Sequence, residues 1–347
     1  MTAAVCLAVF VMSALFTGAV RNYALRKQLM DVPNERSSHT VPTPRGGGVG
    51  LVGAFLLGLP VAVYLGLLTV ADASVLAVPG LAVAAIGFAD DHGHIAARWR
   101  LLSHFIAAGV GLAVLTNWPI VPLYGPVHLS GLWLAIPLVV GLVWLLNLYN
   151  FMDGIDGIAG VQAVTVCLGL AWLSYLYATP ADVALALLLV AASAGFLCWN
   201  LPPAKIFMGD AGSGFLGLVI ALLWLKIASH APQVFWAGLT LMGTFVVDAT
   251  WTLIVRLHKG EKVYEAHRSH AYQHAAQKWG HGKVTAAVAA INIGWLLPLG
   301  CLITSVSAAF VASLGMLFAY APLVALAIWG RAGHGSSLWP NTNRDST

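Results

Sequence analysis

The sequence predicts an all-α, polytopic integral membrane protein: a bundle of about eleven spanning helices, N-terminus outside, with its reactive loops on the cytoplasmic face. Three observations predict it. Hydrophobic residues make up 59% of the 347 residues and charged residues only 9%, against about 25% charged in soluble domains. Apolar runs of about 20 residues, the length that crosses a hydrocarbon core about 30 Å thick, recur along the chain. Lipid leaves every backbone polar group to be satisfied internally, and these runs are too long for barrel strands, so they are helices. Finally, sixteen of the 17 Lys and Arg fall in alternate loops, the bias that marks cytoplasmic segments.

The spans follow in order. The first, 2–20, has no early Lys or Arg and runs into Arg21, Arg26 and Lys27, which marks a retained helix and not a cleaved signal peptide. Next come 47–68, entered from Gly46, Gly47 and Gly48; 73–89, ending at Asp90 and Asp91; and 101–117, preceded by Arg98 and Arg100. The spans 131–148 and 157–178 enclose the stretch "LNLYNFMDGIDGIAG". The remainder are 182–199, 213–229, 232–255, 284–303 and 307–330. The inside segments are then 21–46, 90–100, 149–156, 200–212, 256–283 and the tail from Arg331, with Lys226 as the one basic exception. Residues 1–331 form a single transmembrane domain and 332–347 a short polar tail. Cys6, Cys167, Cys198 and Cys301 lie within spans without C-x-x-C spacing, so neither a disulfide framework nor a zinc site is predicted.

The inner loops carry nearly all the chemistry. The first, "DVPNERSSHTVPTPRGGGVG", offers Arg36, His39 and Arg45 before the glycine triplet. Consecutive glycines at a helix start either cradle an anion with backbone N–H groups or simply make a tight turn; no Gly-Lys-Ser/Thr follows, so this is not a Walker A loop. The second, "FADDHGHIAARWRLLSHF", pairs Asp90 with Asp91. The third holds Asp153 and Asp156, which share a face if helical and otherwise cap the next span. The fourth, "NLPPAKIFMGDAGSGFLG", places Asp210 in a Gly-rich turn, and the fifth, "EAHRSHAYQHAAQKWGHGK", puts His267, His270 and His274 on one predicted helical face. Asp248 is an acid within a span, functional by default or paired with Arg256.

Five aspartates converging on one surface repel: two like charges at about 4 Å cost about 4 kcal/mol at an effective dielectric near 20. A divalent cation removes that cost, and carboxylates without thiols favour a hard ion such as Mg²⁺, which keeps positions for substrate phosphates. The residues thus point to phosphate chemistry at the inner membrane surface.

Asp90-Asp91, "NFMDGIDG", "KIFMGDAGS" and "AHRSHAYQ", in this order over residues 31–275, resemble the polyprenyl-phosphate N-acetylhexosamine-1-phosphate transferases, the MraY/WecA-like glycosyltransferases. The stretches "RSSHTVPTPRGGG" and "DDHGHIAARWRLLSHF" look most like the WbpL-type branch that starts lipopolysaccharide O-antigen synthesis. The resemblance implies a multi-pass protein of the bacterial cytoplasmic (inner) membrane that moves an N-acetylhexosamine 1-phosphate from a UDP-sugar to undecaprenyl phosphate, releasing UMP. Mg²⁺ is the implied cofactor, with Mn²⁺ able to substitute. The implied partners are the lipid, the nucleotide sugar and the membrane, with a homodimer allowed and nucleic acid not expected.

The resemblance also assigns roles. It makes Asp210 a Mg²⁺ ligand with Asp91, and sets Asp90 and Asp91 beside the lipid phosphate. Asn150, Asp153 and Asp156 shape the nucleotide side; Asn200 and Phe207 have the spacing of uracil contacts. Arg98 stands where the family often has Lys, and His267, Arg268 and His270 match the histidine motif. That motif is not the run of histidines of the peptidoglycan branch, which speaks against a muramyl-pentapeptide substrate. Two rivals fit less well. The CDP-alcohol phosphotransferases require Ala-Arg where Gly160 and Val161 stand, and a transporter of lipid-linked sugars requires charges along a midplane path.

Overall fold

The computed structural model describes residues 1–33, 41–93, 95–124, 127–262, 267–306 and 309–335. Arg36 and His39 lie outside the described residues. Fourteen helices dominate: α1 (Thr2–Lys27), α2 (Gly48–Tyr64), α3 (Val70–His92), α4 (Ala97–Val114), α5 (Ala135–Met152), α6 (Ile158–Tyr177), α7 (Pro180–Asn200), α8 (Asp210–His230), α9 (Val234–Leu241), α10 (Gly243–His258), α11 (Ala271–Trp279), α12 (His281–Ile291), α13 (Leu297–Thr304) and α14 (Ala309–Trp329). The described strands form two small antiparallel pairs, Met30–Asp31 with Thr43–Pro44 and Val121–Tyr124 with Val127–Leu129.

Each of the eleven predicted spans is a helix, but not all are alike. Eight helical segments are long and apolar enough to cross a membrane alone, and α9 with α10 makes a ninth bent by 71°. One of the eight is His281–Thr304, in which a π-helical turn, Asn292–Leu296, joins α12 to α13. The two remaining spans are the 17-residue α2 and the 18-residue α4, whose first turn carries Arg98 and Arg100.

Helix α8 is the axis of the bundle: its apolar window is wholly buried, whereas that of α1 is 22% buried. It touches α2, α3, α4, α5, α6, α7 and α9. Glycines let three backbones meet at its inner end. A Cβ at Gly48 of α2 would strike the Gly212 backbone, and one at Gly87 of α3 would strike Asp210 and Ala211. The inner ends of α3 and α8 and the start of α2 are therefore held in contact.

The bend between α9 and α10 is built around buried polar groups. The Thr244 hydroxyl lies within hydrogen-bond distance of both Gln162 Oε1 (2.9 Å) and Asn292 Oδ1 (3.0 Å), and Asn292 Nδ2 donates to Gln162 Oε1 (2.6 Å) and Thr165 (2.8 Å). The network thus ties the start of α10 to α6 and to the π-helical turn. The chain after α14 also packs inward: Ala332 is buried, the Gly333 N–H donates to the Ser269 carbonyl (2.7 Å), and Lys259 Nζ donates to the Gly333 carbonyl (2.8 Å). The first residues of the predicted polar tail are thus part of the fold.

Candidate active site

Three carboxylates meet where α3 ends and α8 begins. Gly209, at φ 77°, turns the chain into α8 so that Asp210 is its first residue. Asp91 is buried, and its two oxygens accept from the N–H groups of Asp210 (3.2 Å) and Ala211 (3.3 Å), two donors that the first turn of a helix otherwise leaves orphaned. Asp90 Oδ1 accepts from the Ile95 N–H (2.7 Å), while its Oδ2 takes Arg100 Nη1 at 2.6 Å; the same nitrogen reaches Asp210 Oδ2 at 3.3 Å. Arg45 Nη2 donates to the Asp91 carbonyl (2.7 Å). Arg45, Asp90, Asp91, His92, Gly93 and Asp210 line a cavity of about 290 Å³. Two guanidinium groups and the positive end of α8 thus offset three acids.

Beside this floor lies the turn between α5 and α6. Asp153 and Asp156 are not on a helix face; they lie in an irregular turn closed by Gly157 at φ 78°. Burial, with the negative charges of Asp210 and Asp91, holds the Asp153 carboxyl well above the usual carboxylate range. Asp156 Oδ2 accepts from the Ala204 N–H (3.0 Å), its Oδ1 lies 3.0 Å from His281 Nδ1, and its carbonyl accepts from Thr285 (2.8 Å). Asn200 is buried and bridges the same loops, accepting from the Gly157 N–H (3.0 Å) and donating to the Ile206 carbonyl (2.9 Å). Asn150 is half-buried at the end of α5, and its carbonyl accepts from the Asp153 N–H (3.2 Å).

The histidine segment adjoins the Asp153 turn. His267 and His270 precede α11 instead of lying on it, and their rings stack with centroids 4.9 Å apart. His274, inside α11, turns away to the Gly330 carbonyl (2.8 Å), so the three do not share a helical face. His267 Nδ1 pairs with the Ser269 hydroxyl (2.9 Å). Burial, His270 and Arg256 push the His267 imidazole down to about 3, so it is neutral at physiological pH. Arg268 lies along Gln277, whose amide oxygen, oriented to satisfy both groups, accepts from Nε (2.8 Å) and Nη2 (2.7 Å). Tyr272 reaches back to the Phe151 carbonyl (2.9 Å), joining this segment to the Asp153 turn.

Several expectations change. Arg98 is exposed and lies over its neighbour Trp99 at 5.6 Å; Arg100 is the basic residue among the carboxylates. Residues two apart on a helix point about 200° apart, so only one of this pair faces the site. The Gly47 and Gly48 N–H groups are not open to an anion, because they donate to the Phe207 and Met208 carbonyls (2.8 Å each). The half-buried Phe207 also gives its N–H to the Pro44 carbonyl (2.8 Å), so this residue zips two inner loops together. Asp248 faces His270 at 3.2 Å, whereas Arg256 pairs with Glu261 at 2.7 Å. The sequence reading assigned no part to Arg100, His281 or Tyr272. The first carried a signal, a second basic residue in a loop already rich in acids; the other two carried none.

The sequence of this largely helical bundle matches known proteins. The family model described as "Glycosyl transferase family 4" matches residues 73–228. A protein of Bacillus subtilis (strain 168) described as probable undecaprenyl-phosphate N-acetylglucosaminyl 1-phosphate transferase is 25% identical, over 83% of this chain and 81% of its own length. The decaprenyl-phosphate N-acetylglucosaminephosphotransferase of Mycobacterium tuberculosis (strain ATCC 25618 / H37Rv) is 30% identical over 62% of this chain, which spans only 58% of that relative. The phospho-N-acetylmuramoyl-pentapeptide-transferase of Clavibacter sepedonicus is 34% identical over 33% of this chain and 30% of its own. Over these segments the chain is similar to MraY/WecA-like glycosyltransferases.

Proposed function

We propose that the protein transfers an N-acetylhexosamine 1-phosphate from a UDP-sugar to undecaprenyl phosphate, giving undecaprenyl-diphosphate sugar and UMP. The sugar is GlcNAc, GalNAc or a 6-deoxy relative such as FucNAc or QuiNAc. The reaction takes place at the cytoplasmic face of the bacterial inner membrane and starts O-antigen or another cell-surface polysaccharide. The observation that carries this reading is the meeting of Asp90, Asp91 and Asp210 with Arg45 and Arg100 around one polar cavity. The relatives add to it, since the Bacillus and mycobacterial proteins are described as acting on polyprenyl phosphates with N-acetylglucosamine.

The surroundings suit a lipid substrate. An apolar cavity of about 380 Å³ is lined by Met152, Phe245, Tyr272, Val284 and Leu323 among others, and Met152 and Tyr272 border the Asp153 turn. A polyprenyl tail in this cavity would keep its hydrocarbon out of water while its phosphate reached the polar loops.

Mg²⁺ fits the donor set. Among the described residues no three His, Cys, Asp or Glu side chains are grouped to hold a metal ion. Mg²⁺ needs no such cage, since it takes one or two carboxylates, substrate phosphates and water. Asp90 Oδ2 and Asp210 Oδ2 already flank one cationic nitrogen, Arg100 Nη1. Asp210 and Asp90 are therefore the residues that would hold the ion, with Asp91 supporting Asp210 from behind through its backbone. When bound, the ion supplies charge neutralisation on the diphosphate, and Mn²⁺ can take its place.

Reaction joins two anions, so alignment and charge compensation matter more than a strong base. Arg45 and Arg100 supply fixed positive charge beside the cavity. An oxygen of the lipid phosphate bonds to the sugar-bearing phosphorus as that phosphorus loses its bond to the bridging oxygen, and UMP departs. Asp153 and Asp156 shape the nucleotide side, and Asn200 holds their turn against the 200–206 loop.

The deciding experiment measures radiolabel transfer from a panel of UDP-N-acetylhexosamines to undecaprenyl phosphate by purified protein, with Mg²⁺ and with EDTA, alongside Asp210→Asn. Metal-dependent product and UMP release, lost in the variant, are expected. Folded, lipid-binding protein that turns over no donor would overturn the reading.

A further inference from the structure

Asp248 sits on α10, among helices that bury apolar side chains, and its carboxylate is fully engaged. Oδ1 faces the Thr252 hydroxyl (3.2 Å), His270 Nδ1 (3.2 Å) and the Ala271 N–H (3.1 Å), while Oδ2 accepts from the Tyr272 N–H at 2.9 Å. One acid therefore caps the start of α11 from a different helix and also meets the ring of a site histidine. Capping alone asks for no charge, since Ser, Thr or Asn serve as well. Placing an ionisable group at membrane depth is costly and accompanies function. The charge acts on the imidazole: a carboxylate facing Nδ1 fixes the proton there and leaves Nε2 as the nitrogen for a ligand.

The same contact sets the position of a second site element. Tyr272, held by Asp248 through its backbone, sends its hydroxyl to the Phe151 carbonyl and packs against Gly154, where no Cβ could fit. The histidine segment and the Asp153 turn are thus placed by one carboxylate.

We propose that Asp248 is the positioning residue of this site: it holds His270 with Nδ1 protonated toward itself and Nε2 left to accept from a hydroxyl or N–H group of the substrate, and through Tyr272 it places the Asp153 turn. The proposal rests on the transferase reading. Asp248→Asn keeps shape and capping but removes the charge. It should lower kcat about 10- to 100-fold, the usual cost of losing a group that orients a site histidine, with less change in KM for the UDP-sugar. In a His270→Gln background the same substitution should cost less than about 2-fold, because coupled residues are non-additive. Full additivity would overturn the proposal.

A second readout is independent of turnover. In protein labelled with ¹⁵N-histidine and embedded in nanodiscs, the His270 signal, assigned by its loss in His270→Gln, should report a protonated Nδ1. It should shift toward the Nε2–H tautomer in Asp248→Asn. A neutral His270 with its proton on Nε2 in the wild-type protein would overturn the proposal whether or not any variant folds. If no UDP-sugar is turned over, the transferase reading fails, and the tautomer measurement still decides the role of Asp248.

Discussion

Lys226 Nζ lies 2.7 Å from Asp182 Oδ1 and 2.8 Å from Asp72 Oδ1, at the end of the bundle opposite Asp90, Asp91 and Asp210. His230 Nδ1 adds a contact of 2.8 Å to the other Asp182 oxygen. Both acids also complete capping boxes, with Thr69 at the start of α3 and Thr179 at the start of α7. One buried lysine of α8 therefore ties together the three helices whose other ends bear Asp90, Asn200 and Asp210. Lys226→Met removes the cation shared by the buried Asp182 and the half-buried Asp72 and should destabilise the protein by about 3–5 kcal/mol. Thermal unfolding in detergent measures this. Replacing Lys226 and Asp182 together by apolar residues should cost less than Lys226→Met alone.

The two arginines of the second inner loop should behave differently. Arg98→Ala removes an exposed side chain resting on Trp99 and should leave transfer within about 2-fold of wild type, as surface changes usually do. Arg100→Ala leaves Asp90 and Asp210 without their shared cation and should lower kcat/KM by about 100-fold or more, the effect of removing one electrostatic donor. Arg100→Lys should recover only part of that, because an ammonium does not reproduce the guanidinium fork. Steady-state transfer kinetics of the three variants decide the matter.

His267 predicts an acid-side stability effect. Its folded value of about 3 is below its ordinary 6.5, so the unfolded chain binds its proton more readily. The stability this group contributes is full above about 6.5 and is lost as pH falls toward 3. Wild-type protein should lose unfolding temperature over that window, and His267→Gln should lose less.

Asp153 predicts the reverse. Its folded value is raised above the ordinary 3.8, so its contribution is full below that value and declines as pH rises through the folded one. Without divalent ions, raising the pH should destabilise the wild type more than Asp153→Asn. Unfolding curves in EDTA at several pH values would show parallel profiles if this account were wrong.

At the bend, Asn292→Leu removes the groups that serve Gln162, Thr165 and Thr244 together. Hydrogen bonds between membrane helices are worth about 0.6–2 kcal/mol each, so a loss of about 1–3 kcal/mol in stability is expected. Spin labels on α9 and α14 should also report a broadened distance distribution.

Much of this was legible in the sequence, and the failures have physical causes. Spans follow from apolar run length, which lipid imposes locally, so all eleven predicted runs are helical, eight of them long and apolar enough to cross alone and a ninth as the bent α9–α10 pair. The inner carboxylates follow from charge segregation, which is equally local. Which of Arg98 and Arg100 enters the site depends on the rotation of α4 about its axis, and packing against α3, α5 and α8 sets that. The histidines look helical by spacing, yet α11 starts only at Ala271, where Asp248 receives its first N–H groups from far away in sequence. The glycine triplet resembles an anion cradle, but the N–H groups of Gly47 and Gly48 are used by Phe207 and Met208, a pairing that exists only in the folded chain.

Helices α3 and α8 are pinned at both ends: Lys226 joins them at one, and Asp91 joins them at the other through Asp210 and Ala211. At about 1.5 Å per residue, the 21 residues of α8 match a bilayer core about 30 Å thick. Rods tied twice cannot slide past one another. A thinner or thicker lipid environment is therefore accommodated by tilting helices at the rim, such as α1 and α14, whose windows are only 22% and 28% buried. Asp91 and Asp210 keep their spacing while the perimeter adapts, so the geometry of the polar cavity holds across membranes of different lipid composition.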